Sequence, residues 1–164
     1  MKKNINTNEN FLYTGNVYIK YKYENSYKNI QKHNEGKIPL FTAITLALGG
    51  RTADAETKKP NYLMGKDASD LPCFSHKVVV QNISYYSGTA LSDGGENDRI
   101  RYLFVVPSSL LIRGNEIKKL CLINNDNEEC AEIILNDSET ISTNLSASLM
   151  VYWDLSFTNA ATSL

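Results

Sequence analysis

The sequence contains few of the residues from which catalytic and metal sites are built. It has two histidines, His33 and His76, and three cysteines, none of them in a Cys-x-x-Cys pair. Cys73 precedes His76 by three residues, so an extended chain places them about 10 Å apart, too far for a dyad. A structural zinc site needs four such ligands, and a hydrolytic triad needs a histidine beside its nucleophile. The sequence therefore predicts no metal, no cofactor and no enzyme.

Long apolar runs and an excess of one charge are also missing. No run approaches the roughly 18 residues that a membrane-spanning helix needs. The N-terminus begins basic at Lys2 and Lys3 but has no apolar core after them, unlike a signal peptide. Lysine and arginine number 17 against 18 acidic residues, which gives no overall attraction to nucleic acid or to an anionic membrane. We expect a protein made in the cytoplasm, with neither nucleic acid nor a membrane as partner.

The remaining polar residues do not form a recognised motif. Four acids near a predicted turn lack the spacing of a calcium loop: Asp126, Glu128, Glu129 and Asp137. Asp154 is the only acid inside a strongly apolar segment, and alternation points it away from Trp153, toward a rim or a subunit contact. Cys121 and Cys130 flank the same predicted turn and could face each other. In a reducing compartment we expect all three cysteines to be small buried side chains.

Short strands dominate the second half of the chain. Runs of β-branched and aromatic residues, broken by Gly, Asn, Asp and Pro, predict strands over 77–86, 99–106, 117–123, 130–135 and 147–157. In the first half, alternation over 17–23 predicts a half-buried strand that shows its lysines to water. A turn at 24–26 then joins it to a second strand over 27–32. We count seven to nine strands, which indicates a sandwich or a barrel.

One helix is predicted, over about 38–48. Pro39 suits its first turn, Gly49 suits the position after its end, and its residues are apolar almost all round, as in a buried helix. The expected fold is all-β: a mainly antiparallel, jelly-roll-like β-sandwich with one short buried helix. Residues 1–16 are polar and Asn-rich, which predicts a flexible N-terminal arm before a single domain over 17–164.

Tyrosine is abundant, with ten in the chain. Because tyrosine is enriched at interfaces, we expect subunit contacts from the aromatic residues of the first hairpin and the arm. These are Phe11, Tyr13, Tyr18, Tyr21, Tyr23 and Tyr27. Residues 1–37 carry seven lysines and three glutamates, a net charge of +4, and the remainder carries −5. This gradient would suit docking on an acidic neighbour, including another copy of the chain.

A second hypothesis is a glycan-binding module. Sandwiches bind glycans through exposed aromatic rings, and Tyr85, Tyr86 and Tyr102 could form a stacking platform. The hypothesis requires these rings to be exposed together.

Several segments resemble small structural proteins of tailed bacteriophages. Their common pattern is a strand that ends in Pro-Ser-Ser-Leu, then a strand and hairpin, then a closing strand. The segments are Val106-Pro107-Ser108-Ser109-Leu110, Ile117-Lys118-Lys119-Leu120-Cys121-Leu122, Cys130-Ala131-Glu132-Ile133-Ile134-Leu135 and Val151-Tyr152-Trp153-Asp154-Leu155-Ser156-Phe157-Thr158-Asn159. The first strand, Ile19-Lys20-Tyr21-Lys22-Tyr23, with the following Lys32-His33-Asn34 and Gly36, is similar to components of crAss-like podophages.

The resemblance implies a virion subunit that works by self-assembly, in the neck or tail, with other copies and other virion proteins as partners. A capsid-surface protein (auxiliary protein or head fibre) and the glycan-binding module of a fibre remain alternatives. The resemblance transfers no catalytic residue.

Overall fold

Antiparallel strands make up most of the residues that the structure describes. The computed structural model describes residues 10–39, 60–87, 90–92 and 99–159. The strands are β1 (Asn10–Tyr23), β2 (Ser26–Pro39), β3 (Pro60–Lys66), β4 (Val78–Val79), β5 (Asn82–Ser87), β6 (Ala90–Ser92), β7 (Arg99–Val106), β8 (Glu116–Ile117), β9 (Lys119–Asn124), β10 (Glu129–Ile134), β11 (Ile141–Ser142) and β12 (Leu149–Asn159). Among the described residues, helical structure is limited to two 3₁₀ turns, Ser108–Leu110 and Asp137–Glu139. None of these residues forms a helix with the length and hydropathy of a membrane span.

The strands form two main sheets and a ribbon. The large sheet has the order β2-β1-β12-β7-β5-β6, the small sheet has the order β10-β9-β3-β4, and β11 pairs with β8. All pairings are antiparallel. Buried side chains of both sheets, such as Trp153 and Leu122, belong to one core. The predicted all-β sandwich is therefore confirmed.

Strict alternation builds the core. In β7 every second residue is buried, from Ile100 to Val106. In β12, Leu149, Val151, Trp153 and Leu155 are all fully buried. Each aliphatic side chain removed from water in this way contributes about 1.5–3 kcal/mol. Because successive side chains of a strand point to opposite sides, the alternate residues of β7 and β12 face away from the core.

The first hairpin matches the sequence prediction and extends beyond it. Glu24 and Asn25 have φ values of 48° and 67°, as a two-residue turn requires, and Tyr23 pairs with Ser26. The predicted arm is wrong for residues 10–16, which lie in β1 between β2 and β12. Residues 1–9 lie outside the described residues.

Two other predictions need correction. Ile38 and Pro39 are the last residues of β2, so the predicted helix does not begin at residue 38; residues 40–48 lie outside the described residues. The single strand predicted over 77–86 is two strands, because the chain changes sheets between them. The N–H of Val80 donates to Asn61 O in the small sheet at 2.7 Å, and that of Gln81 donates to Leu103 O in the large sheet at 2.7 Å.

Candidate functional site

The side of the large sheet that faces away from the core carries the clearest grouping of polar and aromatic side chains. Cross-strand register places Tyr18 opposite Tyr152, and Asp154 between Asn16 and Arg101. We call this surface the outer face. Its residues are Asn16, Tyr18 and Lys20 of β1, Gln31 and His33 of β2, Ser84 and Tyr86 of β5, Arg99, Arg101 and Leu103 of β7, and Met150, Tyr152 and Asp154 of β12.

An ion pair with a buried carboxylate lies within the outer face. Asp154 is only 2% exposed, and Arg101 donates to both of its oxygens, from Nε to Oδ1 at 2.7 Å and from Nη2 to Oδ2 at 2.8 Å. A nitrogen of Arg99 lies 3.5 Å from Oδ2. The hydrogen bond to Asp154 raises the pKa of Arg101, so the guanidinium stays charged. Two parallel hydrogen bonds of this kind fix the orientation of the guanidinium, and Arg101 therefore has one defined position on the face.

Tyrosine rings surround these cations. The guanidinium of Arg101 lies 5.9 Å from the ring centre of Tyr18 and 5.6 Å from that of Tyr152. Arg99 lies 4.1 Å from the ring centre of Tyr86, and the ammonium of Lys20 lies 5.7 Å from that of Tyr152. Each such cation–π contact is worth about 0.5–1 kcal/mol at an exposed site.

The outer face has the composition of a protein interface. Its centre holds half-buried apolar and aromatic side chains, such as Leu103, Met150 and Tyr152, beside Arg101. Lys20 and Gln31 are exposed at its rim. Interfaces have this arrangement, in which tyrosine, methionine and arginine are enriched at the centre and the rim is polar.

The predicted interface residues do not share one surface. Tyr18 lies on the outer face, whereas Tyr21 and Tyr23 lie on the opposite side of β1 and pack, half-buried, against the core. Tyr27 is 80% exposed beside the hairpin turn, with the ammonium of Lys22 at 5.6 Å from its ring centre. Phe11 and Tyr13 are in β1, but their side chains lie outside the described structure.

The predicted glycan platform is wrong. Tyr102 is fully buried in the core, where burial raises its pKa well above the usual value. Tyr85 packs against the core opposite Ile100, and Tyr86 lies on the other side of β5 beneath Arg99. Because Tyr85 and Tyr86 are adjacent in a strand, they point to opposite sides and cannot form one platform.

The cysteines and histidines form no catalytic pair among the described residues. Cys73 is fully buried, and burial raises the pKa of its thiol to about 11. His76 is exposed and its Nδ1 lies 2.9 Å from Lys77 O. On the outer face, His33 Nδ1 lies 3.0 Å from Asn16 Oδ1. All three cysteines are outside disulfides.

One group of possible metal ligands escaped the sequence reasoning. Cys121, Glu129 and Glu132 bring ligand atoms within 4.8 Å of one another on the small sheet. Burial and the nearby carboxylates raise the pKa of Cys121 to about 12, so its thiol keeps its proton at neutral pH. Glu129 already forms an ion pair with Lys66, with Nζ 3.2 Å from Oε2. Cys121 Sγ lies 3.8 Å from Glu132 Oε2, so the three side chains form a thiol–carboxylate hydrogen bond beside an ion pair.

Comparison of the chain with protein-family models, with curated proteins and with solved structures finds no match. The outer face is therefore the main structural basis for a functional hypothesis. Its central pair, Arg101 and Asp154, joins residues 53 positions apart in the chain. Only the pairing of β7 with β12 brings them together, and no local sequence signal indicates it.

Proposed function

We propose that this chain is a structural subunit of a tailed-phage virion, and that it works by binding other copies of itself through the outer face. The observation that carries the proposal is the fixed Arg101–Asp154 pair within a half-buried aromatic and apolar surface. The resemblance of the sequence to small virion proteins supplies the biological setting. The proposed role requires no catalysis.

The partner is a second copy because the chain itself offers a complementary surface. The outer face holds Lys20, Arg99 and Arg101 against one acid, Asp154. By contrast, residues 124–139 contain six acids and no lysine or arginine, although lysines from other segments pair with three of these acids, Glu129, Asp137 and Glu139. Two copies that met through the same face would place like charges together, whereas a head-to-tail contact would place the cations against acids. Repeated head-to-tail contacts form rings when the rotation closes, as a neck or tail ring requires.

The test is the mass of the purified protein in solution, combined with negative-stain imaging. We expect rings or regular oligomers that dissociate at high salt, because screening weakens contacts between exposed charges. Leu103→Glu should abolish them, since it places a charge at the centre of the outer face without entering the core. A loss of binding of at least 10-fold per contact is typical of a central interface residue.

Val79→Glu is the matched control. Val79 is 61% exposed in the small sheet, so the variant makes the same type of change on a different surface. It should leave the oligomers intact. A monomeric wild-type protein, or oligomers that survive Leu103→Glu and disappear with Val79→Glu, would contradict the assignment of the interface to the outer face.

A further inference from the structure

A groove runs between the tip of the β1–β2 hairpin and the β8–β11 ribbon, and it meets the outer face only at the rim residue Gln31. It consists of two adjoining cavities of about 610 and 530 Å³. Tyr23, Glu116, Thr140 and Ser142 line both of them. Each volume falls within the range of about 300–1,000 Å³ that is usual for small-molecule sites. The proposed assembly role does not use this space.

Side-chain hydrogen bonds brace the wall formed by β8 and β11. The hydroxyl of Thr143, which is fully buried, accepts from the N–H of Asn115 at 3.0 Å and donates to Asn115 O at 3.1 Å. Asn115 Nδ2 donates to Asp67 Oδ2 at 2.8 Å, which ties the ribbon to the loop after β3. Thr140 donates to Glu116 Oε2 at 2.8 Å and so holds this carboxylate at the wall that the two cavities share. Hydrogen bonds therefore hold Asn115, Glu116 and Thr140 in place along this wall of the groove.

The charges at the groove are largely paired with one another. Lys118 Nζ lies 2.7 Å from Asp137 Oδ1, and Lys32 Nζ lies 2.9 Å from Glu139 Oε1. The Glu139 carboxylate also accepts from the backbone N–H of Asn136 at 2.8 Å. These lysines already have acidic partners, and the two other charged residues of the lining, Lys28 and Glu116, have opposite signs. The groove therefore gives no strong preference to an anionic ligand. It offers hydroxyls, amides, a carboxylate and tyrosine rings.

We propose that this groove binds a neutral oligosaccharide. A sugar ring has an apolar C–H face and a rim of hydroxyls, each of which can both donate and accept hydrogen bonds. The Tyr23 ring supplies an aromatic surface for that apolar face, and Glu116, Thr140 and Ser142 supply polar partners for the hydroxyls. The inference is independent of the proposed assembly role, because Leu103 and Arg101 do not line the groove.

The experiment uses the full chain and an array of neutral and anionic oligosaccharides, followed by calorimetry with the best ligand. The neutral arm includes glucose, galactose and N-acetylglucosamine oligomers, and the anionic arm includes sialylated and uronic-acid oligomers. We expect binding in the neutral arm. Tyr23→Ala should weaken it at least 10-fold, whereas Tyr23→Phe, which keeps the ring, should weaken it less. Tyr27→Ala is the matched control, since Tyr27 lies on the same hairpin outside the groove, and it should leave the affinity unchanged.

Glu116→Gln provides a second test that does not remove packing, and it should weaken binding even if Tyr23→Ala fails to fold. The Leu103→Glu variant should bind the sugar as well as the wild type does, whatever its oligomeric state. This separates failure of the groove from failure of the assembly role. No binding to the neutral arm, a preference for the anionic arm, or an affinity unchanged in Glu116→Gln would overturn the proposal.

Discussion

The carboxylate of Asp154 is buried, although several neighbouring side chains of the outer face are partly exposed to solvent. Its side chain is 3% exposed, whereas that of Arg101 is 34% exposed. The two members of the pair are therefore desolvated to different extents. Removing a charge from water costs several kcal/mol, and the loss of its partner leaves that cost uncompensated. Removing Arg101 should consequently lower the free energy of unfolding by a different amount than removing Asp154.

Arg101→Met should destabilise the protein more than Asp154→Asn does. The first change leaves a buried carboxylate with Arg99 as its nearest cation, at a cost of about 3–5 kcal/mol. The second leaves a guanidinium that water still reaches, at a cost of about 1–2 kcal/mol. Urea unfolding at pH 7 measures both free energies. Equal losses of free energy in the two variants, or a larger loss for Asp154→Asn, would mean that hydration of the exposed guanidinium does not replace its lost carboxylate partner.

At the scale of elements, β1 is held along both of its edges. Residues 11–20 pair with β12, and residues 10–23 pair with β2. The N-terminal part of β1, predicted from the sequence to be an arm, is thus an internal strand of the large sheet. The sequence did not predict this part of the strand, because Asn10, Thr14 and Asn16 interrupt the apolar alternation on which strand prediction depends.

Deleting residues 2–16 should destabilise the domain more than deleting residues 2–9 does. The longer deletion removes six cross-strand pairs with β12, from Phe11↔Asn159 to Asn16↔Asp154. Each such pair contributes roughly 0.2–1 kcal/mol. Thermal unfolding followed by circular dichroism measures the difference. Equal melting temperatures for the two truncated proteins would show that the N-terminal part of β1 adds nothing to the large sheet.

At the scale of the whole molecule, ionisable groups define a pH range of maximum stability. Hydrogen bonds lower the pKa of four carboxyl groups: from Asn115 to Asp67, from Lys119 to Asp70, from Lys118 to Asp137, and from the N–H of Asn136 to Glu139. Their contributions to stability are present above the unfolded pKa of about 4 and are lost as pH falls through the folded values. Burial raises the pKa of Cys121 to about 12, so its contribution is complete below about pH 8.5 and is lost as pH rises toward 12.

The free energy of unfolding should therefore be greatest between about pH 5 and 8 and decrease on both sides. Urea midpoints measured across the pH range test this. Asp67→Asn should reduce the decrease on the acid side, and Cys121→Ala should reduce the decrease on the alkaline side. A midpoint that rises below pH 4, or an acid decrease that is unchanged in Asp67→Asn, would contradict the assignment of these groups.

The sequence predicts strands best where local chemistry alone determines them. The bounds of β7 are predicted correctly, because its alternation is strict and Pro107 follows its last residue. The change of sheet at Val80 carries no Gly or Pro signal, so it was missed. The outer face and the groove were missed for a different reason. Their residues come together through strand register and long-range packing, which local patterns do not encode.

The pairing of β1 with β12 also determines when the domain can be completed during synthesis. Lys20 pairs with Met150, about 130 residues later in the chain. At about 5–20 residues per second, the ribosome makes β1 on the order of ten seconds before its partner. Until then the β12 edge of β1 has no native partner, and the core residues Val17 and Ile19 lack their cross-strand neighbours Trp153 and Val151. The large sheet is therefore completed only after β12 has been made, and contacts between neighbouring nascent chains would compete with its completion.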